Sequence, residues 1–196
     1  MYRFITIVAL TILLAHTGLA QKVKKEYERG IKEEEMPSVV IQMLKPMLEE
    51  ANKIDYYEES NDENTTYEVK MNWQDHQLSI EFYDDGQLMD IEQLIKFREV
   101  SEEAKEEIRE YLQGYKRSKI TRLQRQFTAE DEDDDDEEVF EEFMEGDWED
   151  LTIRYEMEVY LKGQDKFGPY ELLFDDEGEL LDTRKIERRS ADNVLY

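Results

Sequence analysis

The sequence predicts an α+β protein built from two tandem units, each a helix followed by a four-stranded antiparallel sheet. Three observations lead there. Two stretches repeat in order: Tyr67–Trp73 (YEVKMNW) matches Tyr155–Leu161 (YEMEVYL), and Phe82–Asp90 (FYDDGQLMD) matches Phe174–Asp182 (FDDEGELLD). Self-similarity at a near-constant spacing points to a duplicated structural unit. The repeated stretches alternate apolar and polar residues, the period of a half-buried strand. Before each set runs an apolar stripe at helical spacing: Met36, Val40, Leu44, Met47, Leu48, and then Val100, Ala104, Ile108, Tyr111, Leu112.

Each element has a local reason. Pro37 suits the first turn of the first helix, while Pro46 should kink or shorten it. Ser101 is an N-cap for the second helix, with Glu102 and Glu103 in its first turn and Gly114 as its stop. Short strands are expected around Ile54 and Ile120. Asp85-Gly86 and Glu177-Gly178 mark tight turns between consecutive strands. The units are read as 31–97 and 98–189. The second is longer between its first two strands, where an acidic insertion occupies 129–150.

Residues 1–20 (MYRFITIVALTILLAHTGLA) read as a signal peptide. Arg3 is the charged start, Phe4 to Ala15 the apolar stretch, and Gly18 and Ala20 the small residues before a cleavage site. No later stretch is apolar enough to span a bilayer. The mature chain is therefore expected to be periplasmic or secreted. It has no cysteine, so an exported fold here must rest on packing without disulfides or cysteine-ligated zinc.

The chain has 196 residues and a formal net charge of −26. That balance argues against nucleic acid as a partner, because phosphate contacts need clustered Lys and Arg. Glu130–Asp150 alone holds 15 acidic residues and no basic one, so the charge excess belongs mainly to the insertion. Lys116, Arg117, Lys119, Arg122 and Arg125 crowd the stretch just before it, and the acidic loop is expected to fold back over them.

The YEV-type strand and the F-x-D-x-G-x-L strand and turn (Phe82, Asp84, Gly86, Leu88, and again Phe174, Asp176, Gly178, Leu180) resemble the PepSY-like proteins of the bacterial envelope, also described as beta-lactamase-inhibitor-like. The resemblance covers nearly the whole mature chain as two copies. It implies a periplasmic or secreted protein with no catalytic centre. Related folds include the beta-lactamase inhibitory protein, which grips an enzyme with a concave sheet. The family has no catalytic motif to carry over, so no enzyme activity is expected.

His76, the single histidine of the mature chain, falls in a turn beside Asp75, where a solvated side chain is expected and no catalytic triad is in prospect. Asp131, Asp133, Asp135 and Glu142 fall at positions 1, 3, 5 and 12 of an EF-hand-like spacing. Asp136 stands where that loop wants glycine, and an acidic run produces such spacing almost automatically, so weak calcium binding is expected and no obligate cofactor. Phe140, Phe143 and Trp148 suit either a docking segment or packing on the chain's own domain. Tyr83, Tyr160, Lys70 and Arg154 lie on the polar face of the strands and complete the candidate partner-binding set. The function expected is an exported protein-binding module, with an acidic cation-binding envelope protein as the alternative.

Overall fold

The computed structural model describes residues 23–24, 27–60, 64–130 and 135–186. The signal-peptide expectation and Asp131 and Asp133 lie outside them. Ten strands form one sheet: β1 (Val23–Lys24), β2 (Tyr27–Ile31), β3 (Asn52–Ser60), β4 (Thr65–Trp73), β5 (His76–Tyr83), β6 (Leu88–Leu94), β7 (Arg117–Ala129), β8 (Leu151–Lys162), β9 (Phe167–Asp175) and β10 (Leu180–Ile186). Three α-helices accompany it: α1 (Ser38–Leu48), α2 (Glu102–Gln113) and α3 (Asp136–Glu145).

The expected pair of helix-plus-four-strand units is corrected by this topology. Strands β2 to β10 pair in succession, all antiparallel, and β1 adds to β10 in parallel. The seam is β6–β7, registered from Ile91↔Phe127 to Leu94↔Gln124. Two separate sheets would leave these strands as exposed edges with unpaired N–H and C=O groups. Joining them satisfies both edges, something a repeat in the sequence does not report. The strands around Ile54 and Ile120 are also longer than expected, at 9 and 13 residues.

The sheet is strongly rolled. Ten strands at ~4.8 Å spacing, laid flat, would separate the outermost pair by roughly 43 Å. Yet Lys24 pairs beside β10 and Tyr27 beside β3. Only three residue steps separate them, at most about 11 Å of chain. The amino-terminal stretch therefore bridges the two edges, and the sheet curls until they approach.

All the helices cover the same face. Val40, Leu44 and Met47 of α1 pack over Val69, Met71, Ile80, Phe82 and Ile91, while Ala104, Ile108 and Leu112 of α2 pack over Met157, Val159, Leu172 and Phe174. Ser101 caps α2 as expected, its Oγ accepting from the Ala104 N–H at 3.1 Å. Pro46 sits in the last turn of α1, which ends two residues later. Gly178 (φ +94°) shows why its turn carries glycine: a Cβ there would meet the Ala104 carbonyl oxygen at 2.7 Å. The backbone of α2 thus rests directly on the hairpin turn, which fixes where the helix starts on the sheet.

The acidic insertion carries α3, and its apolar side joins the core. Val139, Phe140 and Phe143 are buried in the cluster formed by α1 and β4–β6. Phe143 lies edge-on to Phe127 at 5.0 Å and 6.2 Å from Trp73, and the Trp148 ring is tilted against Phe127 at 4.8 Å. The helix is capped by Asp135, whose carboxylate accepts from the Glu137 N–H, and stopped by left-handed Gly146. Its first-turn acids, Asp136, Glu137 and Glu138, suit the positive end of the helix dipole. The Asp136 carboxylate also accepts from the Leu88 N–H at 2.8 Å. Of the two readings of Phe140 and Phe143, packing on the chain itself is the one observed.

Because Phe143 closes this layer, Phe143→Ala is expected to lose about 3–5 kcal/mol of stability. Urea unfolding followed by tryptophan fluorescence measures it. A loss under about 1 kcal/mol would mean that α3 is an appendage after all.

Candidate functional site

The face of the sheet that carries no helix holds the chemistry. Alternation along the strands puts Glu68 and Lys70 of β4, Ser79 and Glu81 of β5, Asp90 and Glu92 of β6, Gln124 and Gln126 of β7, Arg154 and Glu156 of β8, Glu171 of β9 and Arg184 of β10 on it. Glu68, Asp90, Glu92 and Glu171 are buried there, as are Ser79 and Gln124. Among the described residues no helix covers them, and the sheet rolls around them.

Buried carboxylates need partners, and cross-strand contacts provide them. The Gln124 amide donates to Glu92, and the Gln126 amide donates to Asp90 at 2.9 Å, both across the β6–β7 seam. Ser79 donates to Glu68. The Lys70 ammonium lies 2.7 Å from both Glu68 and Glu28, and 4.4 Å above the Tyr57 ring. Burial pulls the Lys70 pKa down, but the hydrogen bonds and charges of those two glutamates outweigh it, so the ammonium sits above its ordinary value. At the far side Arg184 pairs with Glu171 at 2.8 Å and approaches Glu156 at 3.7 Å.

The register also sets like charges opposite one another. Glu68 faces Glu81, and Glu81 faces Asp90. Direct opposition of like charges is unfavourable. Two trios, Glu28–Glu59–Glu68 and Glu81–Asp90–Glu92, bring carboxylate oxygens within 4.8 Å of one another, a spacing at which a hard cation could sit between them. Neither trio is visible in the sequence, because the first draws its members from three strands (β2, β3 and β4) and the second from two (β5 and β6). In the set that was singled out, Asp135 and Glu142 are separated by most of α3, about 10 Å of helical rise. Asp135 serves as the helix cap, so the EF-hand-like spacing does not fold as a loop at these two positions.

The remaining candidates divide by place. Tyr83 is exposed at the end of β5 where the acidic insertion lies, and Tyr160 is half-buried near the opposite end of the strands. Tyr160 meets Phe167 edge-on at 5.9 Å. Phe167, 64% exposed, is not visible in the sequence because it is the first residue of β9, directly after the turn, with no earlier strand residue to set the alternation. Arg154 donates to the Thr128 hydroxyl at 3.3 Å. Phe140 and Phe143 lie in the core, and Trp148 is half-buried against it, its indole N–H donating to the Phe143 carbonyl at 3.4 Å. His76 is exposed at the start of β5, after a turn in which Gln74 and Asp75 both have positive φ. Among the described residues no helix is long and apolar enough to cross a membrane.

Glu92 is the most perturbed member of the site. Burial first, then the charges of Asp90, Glu156 and Glu81, push its carboxyl well above the usual range, against the opposing pull of Arg122. An unfolded chain would release this proton near pH ~4.3. The folded chain retains it, so stability is full below that pH and declines as pH rises toward the raised folded value. Glu92→Gln keeps an oxygen to accept from Gln124 and removes the titration. It is expected to raise the melting temperature at pH 7 and to change it little at pH 4. Equal shifts at the two pH values in thermal melts would sink this account.

The fold is shared with a solved structure of a DUF2874 family protein from Bacteroides ovatus, at a TM-score of 0.51 and 13% identity, covering 76% of this chain and 86% of that one. A solved structure of a BLIP-like protein from Bacteroides fragilis superposes with a TM-score of 0.49 and 11% identity, covering 82% and 92%. No protein-family model and no curated protein matches the chain.

Proposed function

We propose that the protein is an exported, non-catalytic binding module that occludes a protein partner, in the manner of an inhibitor of an envelope or secreted enzyme. Export rests on the signal-like residues 1–20, and the inhibitor-like manner on the PepSY-like resemblance of the repeated strands. The observation that carries the reading is the exposed aromatic rim of the helix-free face. This chain buries most of its large apolar side chains, yet leaves Phe167 64% exposed against Tyr160, and Tyr83 47% exposed at the other end. Aromatic residues on rigid strands lose little conformational freedom on docking and are favoured as interface anchors. Glu68, Asp90, Glu92 and Glu171 are paired by donors on the sheet itself, so the partner-facing surface is preformed on rigid strands.

The mature chain, immobilised on resin, is expected to retain a protein from envelope extract that a Tyr160→Ala/Phe167→Ala variant with an unchanged melting temperature does not retain. Activity of a captured enzyme should fall when the free module is added. Recovery of no partner at any salt concentration would count against the reading.

A further inference from the structure

Among the described residues the expected latch of acidic insertion over basic strand does not form as a whole. Arg125 does meet the insertion, its guanidinium 5.2 Å from the Trp148 ring, and it donates to the Glu99 carbonyl at 2.7 Å. The other cations stand elsewhere. The insertion leaves β7 after Ala129, whereas Arg117 and Lys119 begin the strand. Thirteen residues at ~3.3 Å each place these ends about 40 Å apart. That is several Debye lengths at physiological salt, where screening acts over ~8 Å. The start of β7 is therefore screened from the acidic residues of the insertion.

At that end the register assembles a cationic patch. Arg117 lies directly opposite Lys162, and Lys119 directly opposite Tyr160. All four share the helix-free face by alternation, and all but the half-buried Tyr160 are exposed. Among the described residues none of the three cations is ion-paired. Phe167 lies opposite Lys162 on the other side and touches Tyr160. A chain with 51 acidic and 25 basic residues has ample means to pair Arg117 with a carboxylate, yet it sets a cation against a cation. Like-charged cross-strand neighbours are unfavourable for the sheet alone; a bound anion would relieve them.

We propose that the rim formed by Arg117, Lys119, Lys162, Tyr160 and Phe167 docks an acidic segment of the partner protein, its carboxylates on the three cations and an apolar side chain against the Tyr160–Phe167 pair. This rests on the binding-module reading and specifies the chemistry of the partner. The groove nearby between α2 and β7, about 520 Å³ and lined in part by Arg109 and Lys116, extends the same positive character around the end of the sheet.

The test uses the mature chain and two fluorescein-labelled decapeptides, one alternating Glu and Tyr, the other Lys and Tyr. Anisotropy should show saturable binding of the Glu–Tyr peptide, weakening as salt rises, and none of the Lys–Tyr peptide. Lys119→Glu/Lys162→Glu should weaken it at least about tenfold with an unchanged near-ultraviolet dichroism spectrum, since two attractions become repulsions. Tyr83→Ala, at the far end, should leave it unchanged. Preference for the Lys–Tyr peptide, or equal binding by the double variant, overturns the proposal. So does self-association of the chain that the same double variant abolishes, which would make a second copy the occupant. If an envelope protein is still captured by the double variant, the acidic-partner inference fails and the binding-module reading stands; if neither form captures one, both fail.

Discussion

The pairing of β6 with β7 is the contact on which the rest of the structure depends. It is short, running from Ile91↔Phe127 to Leu94↔Gln124. Its two faces do different things. On the helix side Phe127 enters the core that α1 and α3 cover, while Leu123, four residues earlier on the same strand, enters the core under α2. On the other side Gln124 and Gln126 reach back to Glu92 and Asp90. One strand pair thus links two apolar clusters and supplies the donors that make buried carboxylates tolerable.

From that seam follows the curvature. A continuous antiparallel sheet accumulates twist and coil strand by strand, and with ten strands the edges come round to the same short amino-terminal stretch. The apolar residues then face outward to the helices, and the polar residues face the enclosed side. This inverts the common arrangement in which the helix-free face of a sheet is simply wet. It also explains how Glu68, Glu92 and Glu171 are buried on the face that no described helix covers, and why burial pushes the Glu92 carboxyl up. The accessible chemistry is displaced to the ends of the strands, where aromatic rings and cations emerge.

Much of the fold was legible locally. The repeated strands, the Ser101 cap, the glycine turns and the helix stripes each announce themselves through spacing or steric demand, and each stands where the pattern places it. The acidic insertion was legible as an insertion, though not as a helix that completes a core. Its apolar residues alternate with acids in a way that suits docking on any surface, and only the position of Trp73, Phe127 and α1 decides which surface. The turn at Gln74–Asp75 gave no glycine or asparagine signal, although both residues adopt positive φ. Phe167 was missed because it opens β9, where no earlier residue of the strand sets the alternation.

The sequence by itself determined the two main helices, the repeated strands with their polar and apolar sides, and the concentration of negative charge in one stretch, because these depend on neighbours within a few residues. The tertiary structure alone decided that the strands make one sheet, that the sheet rolls, and that carboxylates from three strands meet while the basic start of β7 stands about 40 Å from the acids that follow its end. Those outcomes depend on which strand edges pair, and backbone pairing between β6 and β7 is indifferent to the side-chain pattern that made the strands recognisable.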